Sequence, residues 1–227
     1  MTAPLRLIVF DVDGTLVDSQ VDILAAMSAA FAALDLPMPP RDTVLGIVGL
    51  SLDVAMARLA PGLGAAGHAE LAGAYKGAYA DLRAGGDVAQ TSPFYPHART
   101  TLDALSRRPE NILGVATGKS RRGLDALLGG HGLDGVFTTV QVADHHPSKP
   151  HPAMLHAAMD EAGVTPDSAV MIGDTSYDMD MARAAGVRAI GVGWGYHGPA
   201  RLTGADHLLD DFRELPGLLD RIWGAQT

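Results

Sequence analysis

The chain has no cysteine among its 227 residues. That excludes disulfides, thiolate metal sites and a cysteine nucleophile, and it fits a reducing compartment. Positive charge is scarce too: 17 Lys and Arg face 26 Asp and Glu, a formal net charge of −9. Nonspecific nucleic-acid binding needs a cationic surface, so no nucleic-acid partner is expected, and an anionic membrane is disfavoured for the same reason. Long apolar runs are missing. None approaches the ~18 residues that cross a bilayer. The N-terminal MTAPLRLIVF falls short of the apolar stretch of ~7–15 residues that a secretory signal needs. The expectation is a soluble, cytoplasmic protein, a monomer or homodimer, with no membrane partner.

What is present is a globular composition, 47% hydrophobic and 19% charged, enough for a sizeable core without covalent staples. Short apolar runs at 7–10, 112–116, 136–140, 169–172 and 187–192 have the length and branching of buried strands. Between them lie stretches of helical spacing. In 152–162, Met154, Leu155, Ala158, Met159 and Ala162 form one stripe, with Pro152 at the first helical position and Gly163 as the left-handed stop. Helices are also expected at 98–106, 179–185 and 212–223. Strands alternating with helices predict an α/β fold, a doubly wound parallel sheet with Rossmann-like topology. In such sheets ligands sit at the carboxyl ends of the strands.

One gap breaks the rhythm. About 75 positions separate the loop after the first strand from the next core helix, where a crossover needs only about a dozen. The gap reads as helices at 22–34, 52–59 and 69–82. The expected organisation is a core of residues 1–17 and 93–227, with a small helical cap, 18–92, inserted between them.

Four motifs carry chemistry. DVDGTLVD, residues 11–18, puts Asp11 and Asp13 where a strand ends and a glycine turn begins. GDTSYDMD, 173–180, puts Asp174 after another strand and Asp178 four residues on. ATGKS, 116–120, offers the Thr117 hydroxyl and the Gly118 amide at a strand-to-helix turn, the arrangement that presents N–H groups to an anion. Lys149 lies in the loop PSKPHP. Each has a plain alternative: a turn, a favourable charge at a helix start, a helix cap, a solvated lysine. The strand-end rule weakens these alternatives by bringing Asp11, Asp13, Thr117 and Asp174 to one crevice, with Lys149 on a neighbouring loop. At ~4 Å and an effective dielectric of ~20, each carboxylate pair repels by about 4 kcal/mol. Several such groups need a cation, and all-oxygen ligands favour a hard one, Mg²⁺ first. A metal among carboxylates beside a lysine and backbone amides describes a phosphoryl site.

With all four motifs in order over essentially the whole chain, the sequence resembles the haloacid dehalogenase superfamily, in its helical-cap branch (C1, subfamily IA). FDVDGTLVDS and VATGKSRRGL are most similar to phosphoglycolate-phosphatase-type enzymes. The resemblance implies an aspartyl-phosphate on the nucleophile Asp11, with Asp13 as general acid and base. It implies Mg²⁺ held by Asp11, the Asp13 carbonyl and Asp174, with Asp178 behind them orienting a water or Lys149. Thr117, Gly118 and Lys149 would hold the phosphate, and Lys149 would neutralise charge on it. The substrate would be a small-molecule phosphate ester. Keeping an acid at position 13 favours phosphate over halide chemistry.

Gly118 stands where many relatives have Asn, and ADHHPSKP replaces a commoner acidic-Gly-Lys-Pro pattern. His145, His146 and His151 flank Lys149 and read as loop histidines. In the cap, the loop Val48, Gly49, Leu50 and Ser51 is the expected specificity contact, with Gly49 foremost and Arg58, Lys76 and Tyr79 behind it. Gln20 marks the cap entry. GWGYHG, 193–198, would edge the site or merely pack. A phosphomutase of the beta-phosphoglucomutase type would use the same core. A phospho-acceptor signalling domain shares the acidic pair, the Thr and the Lys, but lacks such a cap and an Asp174.

Overall fold

The computed structural model describes residues 4–85 and 88–224. Six parallel strands form one sheet: β1 (Arg6–Phe10), β2 (Asn111–Thr117), β3 (Thr139–Val142), β4 (Ala169–Gly173), β5 (Arg188–Val192) and β6 (His207–Leu209), in the order β3-β2-β1-β4-β5-β6. The doubly wound parallel sheet is thus as expected. Side chains alternate between the two faces of β1. Ile8 and Phe10 join one apolar cluster, Leu7 and Val9 another. Burial on both faces is why the strands read as continuous apolar runs. The first face is covered by α6 (Ala98–Ser106), α7 (Arg121–Gly130) and α10 (Leu215–Gly224), the second by α8 (Ala153–Ala162) and α9 (Ser176–Ala184). Each fully buried Leu or Ile contributes ~1.5–3 kcal/mol.

Helix boundaries follow local chemistry. Gly163, at φ 66°, closes α8 in the left-handed conformation that L-residues avoid, while Pro152 is its N-cap rather than its first residue. Thr175 caps α9 and exchanges hydrogen bonds with Asp178 in a capping box. The run at 136–140 is a correction. β3 begins only at Thr139, and Val136 lies in a turn closed by its N–H to Leu133 O at 3.1 Å. Phe137 is apolar because it plugs the core beside the Phe10 ring, at a centroid distance of 6.5 Å. The last helix is divided near Pro216, with a single turn at Phe212–Glu214 before α10. β6 is too short, at three residues, to have stood out in the sequence.

Between β1 and α6 the chain forms α1 (Gln20–Ala33), α2 (Arg41–Leu45), α3 (Leu52–Leu59), α4 (Ala65–Gly85) and α5 (Val88–Thr91). These helices have an apolar cluster of their own, built on Ile23, Met27, Phe31, Val44, Met56 and Leu71. The chain leaves and re-enters the core side by side. Asp18 N–H donates to Pro93 O at 2.9 Å and Tyr95 N–H to Leu16 O at 3.0 Å. We propose that this pair of connections is the hinge between a helical cap and the core.

The strand order reverses at β1. β2 and β3 lie on one side of it, β4 to β6 on the other. A crevice opens at such a switch point, at the carboxyl ends of the strands.

Candidate active site

Asp11 follows β1 and Asp174 follows β4. Phe10 pairs with Ile172 in register, so the two carboxylates emerge side by side at the switch point. Asp178 comes from the first turn of α9, and Lys149 from the loop before α8. All four side chains are buried. Oxygens of Asp11, Asp174 and Asp178 lie within 4.8 Å of one another. Lys149 Nζ stands 3.0 Å from Asp11 Oδ1 and 2.7 Å from Asp178 Oδ1. Asp178 Oδ2 accepts from Thr175 N–H at 3.0 Å and Thr175 Oγ1 at 2.7 Å. Asp174 accepts from Thr15 Oγ1 at 2.9 Å and from Tyr196 N–H at 2.8 Å.

Backbone packing makes room for these groups. Gly14 has φ +84°, and a Cβ there would stand 2.3 Å from Asp174 Oδ2. A Cβ on Gly195 would fall 2.1 Å from the Asp174 Cβ. Neither glycine admits a side chain without displacing Asp174.

Burial dominates the electrostatics. It pushes the Asp11 carboxyl up to about 7; Lys149 opposes the shift, while Asp178 and Asp13 add to it. Asp174 is raised well above the carboxylate range by burial, then by Asp11 and Asp178. Burial draws Lys149 down, but Asp11 and Asp178 outweigh it, and the ammonium is held above the usual lysine range. Among the described residues, Asp11 Oδ1 has the Lys149 ammonium at 3.0 Å while Oδ2 has no side-chain partner, although both are buried. A buried carboxylate is normally satisfied, so an open oxygen beside two further carboxylates fits a cation. The donor set is all oxygen, which fits a hard divalent metal.

Asp13 faces another way. Lys119 Nζ is 2.8 Å from both of its oxygens, and Ser19 Oγ hydrogen-bonds Oδ1. Tyr79 of α4 reaches the same lysine, at 3.2 Å. Thr117 is buried at the end of β2, with its Oγ1 accepting from Lys119 N–H at 3.3 Å. Gly118 meets the cap loop. A Cβ there would stand 2.5 Å from Leu50 O and 2.6 Å from Gly49 O. Asn at this position would push that loop away, so the departure at position 118 goes with a close approach of cap to core.

The loop Val48, Gly49, Leu50 and Ser51 lines a cleft of about 790 Å³ that opens onto Asp11, Asp13, Thr117 and Gly118. Ser51 N–H donates to Ser148 Oγ at 2.8 Å, tying this loop to the one that carries Lys149. Lys76 and Tyr79 line the cleft as well. Arg58 is not among its lining residues; it donates to Tyr177 Oη at 2.9 Å and lies over that ring. Gln20 donates to Asp18 Oδ2 at 2.7 Å, beside a smaller cavity. The histidines stay in their loop: His146 pairs with Gln141 Oε1 at 2.8 Å, and His151 Nδ1 accepts from Ala153 N–H at 3.2 Å. GWGYHG does both things expected of it. Tyr196 N–H holds Asp174, while the Trp194 ring packs on Phe212 at 4.6 Å.

Lys119, Ser19, Thr15 and Tyr196 were not picked out as site residues from the sequence. Lys119 had a signal, since it sits inside ATGKS two residues past a strand end. Ser19 ends FDVDGTLVDS and Tyr196 lies in GWGYHG, but neither segment told which of its side chains or amides would meet Asp13 and Asp174.

A crevice of carboxylates and buried lysines at the switch point of a doubly wound sheet, roofed by inserted helices, is the frame of a hydrolase. A family model described as haloacid dehalogenase-like hydrolase matches residues 8–192. The chain is 32% identical to a phosphoglycolate phosphatase of Pasteurella multocida, with 95% of this chain and 98% of that one covered. It is 35% identical to a probable phosphatase IndB of Dickeya dadantii, over 93% and 92% of the two chains. Among solved structures, a hydrolase of the haloacid dehalogenase-like family from Streptococcus pneumoniae superposes with a TM-score of 0.80 at 26% identity, covering 95% of this chain and 98% of that one. A predicted phosphoglycolate phosphatase from Haemophilus somnus gives 0.83 at 25%, covering 96% and 100%. The chain belongs to the haloacid dehalogenase-like hydrolases. It is thus an enzyme of the hydrolase class, and the relatives named above are phosphatases. No helix among the described residues is long and apolar enough to cross a membrane.

Proposed function

We propose that the chain is a Mg²⁺-dependent phosphatase of a small phosphate ester of the phosphoglycolate kind, working through an aspartyl-phosphate on Asp11. The observation that carries this reading is the Asp11 carboxylate: buried at the switch point, 3.0 Å from Lys149 Nζ, and grouped with the carboxylates of Asp174 and Asp178. The oxygen that Lys149 does not engage keeps its lone pairs for phosphorus.

In the first step an Asp11 oxygen attacks phosphorus and the bond to the substrate alcohol breaks. Asp13, as the acid, gives its proton to the departing oxygen. In the second, Asp13 takes a proton from water as that water attacks the same phosphorus. The bond to Asp11 breaks, and inorganic phosphate is released. Lys149 offsets charge on the phosphoryl oxygens, and the Thr117 hydroxyl and Gly118 N–H orient them. Asp11, Asp174 and the Asp13 carbonyl would hold Mg²⁺, with Asp178 fixing Lys149 at 2.7 Å. The ion supplies charge stabilisation to the transferring group.

The likeness to phosphoglycolate phosphatases supports the substrate class. The absence of cysteine and the acidic balance support a cytoplasmic setting. The test is phosphate release from 2-phosphoglycolate and p-nitrophenyl phosphate with and without Mg²⁺. Release from neither ester with Mg²⁺ present would reject the reading.

A further inference from the structure

The chemistry above uses the core side of the cleft and leaves its cap side without a role. Ile47, Leu52, Ala72, Tyr75 and Ala80 line that side, and each is only half-buried. Apolar and aromatic surface left open in a concave wall is what a ligand's apolar part covers. Ala72, Tyr75 and Tyr79 recur at helical spacing, so they share one face of α4. The Tyr75 and Tyr79 rings stand 5.8 Å apart, tilted by 33°. The pair reaches the chemistry: Tyr79 Oη lies 3.2 Å from Lys119 Nζ, itself 2.8 Å from Asp13, the proposed acid that meets the leaving oxygen.

Charge on the alcohol half is poorly served. Among the described residues, four cations line the cleft: Lys76, Arg83, Lys119 and Arg122. Lys119 is taken up by both oxygens of Asp13. Arg83 is held by Asp22, Tyr79 and Ser92. Lys76 and Arg122 are exposed, where water screens them, and Asp53 and Asp144 line the same cleft. A carboxylate next to the reacting phosphate would have to take a cation from a carboxylate that already holds it. Size points the same way. A two-carbon acid with about nine non-hydrogen atoms in its phosphate ester would leave most of such a cleft empty; clefts of several hundred Å³ suit larger ligands.

We propose that the α4 face bearing Ala72 and Tyr75 selects a phosphate ester whose alcohol half is uncharged, apolar and the size of an aromatic ring. Tyr75 offers its ring as the packing partner, and the small Ala72 leaves the room that the substrate's ring fills. The proposal rests on the phosphatase reading and narrows its substrate class. Such an ester and 2-phosphoglycolate are both phosphates of primary alcohols and differ in what fills the cap side.

The experiment compares kcat/KM with Mg²⁺ for ethyl, cyclohexylmethyl, benzyl and 4-carboxybenzyl phosphate and for 2-phosphoglycolate. The leaving alcohols are all primary and similar in basicity, so the ratios report recognition. The wild-type protein is expected to use benzyl phosphate about tenfold or more better than ethyl phosphate, and better than either carboxylate ester. In Ala72→Phe, where an added ring occupies the space, the benzyl-to-ethyl ratio falls toward one. In Tyr75→Leu the benzyl-to-cyclohexylmethyl ratio falls, and Tyr75→Phe restores it. Wild type and Tyr75→Leu decide the matter where Ala72→Phe does not fold. Calorimetric binding of the matching phosphonates gives the same ratios where turnover is low. A preference for either carboxylate ester over benzyl phosphate, equal use of benzyl and ethyl phosphate, or a ratio unmoved in Ala72→Phe or in Tyr75→Leu overturns the proposal. Failure of every ester, p-nitrophenyl phosphate included, overturns the phosphatase reading instead.

Discussion

Lys119 Nζ stands 2.8 Å from each carboxylate oxygen of Asp13, with side chains 8% and 9% exposed. Burial draws the ammonium down, but Asp13 and then Tyr79 outweigh it and hold the group above the usual lysine range. The same lysine touches the cap through Tyr79, so the pair links the proposed acid to cap position. Removing one member of a buried pair costs about 3–5 kcal/mol. Lys119→Met is expected to lower Tm by about 10 °C and to slow turnover. Asp13→Asn/Lys119→Met recovers most of the Tm without recovering turnover. Thermal melts and phosphate-release rates check both.

Asp11→Asn separates chemistry from folding. The carboxylate is disfavoured by its burial, and Lys149 and a backbone hydrogen bond from Val12 oppose that shift only in part. The variant is expected to lose at least about 10³ of kcat, since the nucleophile is gone, yet to melt no lower than the metal-free wild type. A melt well below wild type would show that the buried carboxylate supports the fold.

Chelation should stop turnover and added Mg²⁺ restore it. An ion that binds only the folded state also stabilises it, by about 2.7 kcal/mol at one hundred times its Kd. The wild-type Tm is expected to rise with Mg²⁺, and that of Asp174→Asn to rise less. Equal shifts in the two proteins would place the ion elsewhere.

His197 gives a pH signature. It is buried, its Nδ1 accepts from Ser176 N–H at 3.1 Å, and its Nε2 donates to Gly46 O at 3.1 Å, joining core to cap. Burial lowers its pKa below 6.5; Gly46 and Asp178 oppose the shift, while Arg201 adds to it. A depressed value means stability that is complete above 6.5 and lost as pH falls through the folded value. The wild-type Tm is expected to drop between pH 7.5 and 5 more than that of His197→Gln, at constant Mg²⁺. Parallel curves would reject this contribution.

Gly118→Ala would drive a methyl to 2.5 Å from Leu50 O. Overpacking of this kind costs ~1–3 kcal/mol, and here it moves the loop holding Gly49. The expected result is a modest fall in Tm with a larger fall in kcat/KM, read by melts and steady-state kinetics.

Much of this was legible in the chain itself. Runs such as 7–10 and 169–172 read as strands because burial on both faces demands unbroken apolar residues. Asp11, Asp174 and Lys149 were legible because loops after parallel strands converge at one end of a sheet. Position 136–140 misled, since Phe137 fills the core from a turn, and apolarity alone does not distinguish the two.

By itself the sequence determined the sheet, the helical insertion and the acidic residues at the strand ends, because these depend on local periodicity and chain order. Only the tertiary structure decided that Lys119 clasps Asp13, that Lys149 sits between Asp11 and Asp178, and that Arg83 is held by Asp22, Tyr79 and Ser92. Those facts depend on distances between segments far apart in the chain. Ser19 and Tyr196, 177 residues apart, meet because the segments after β1 and β5 leave the same end of the sheet.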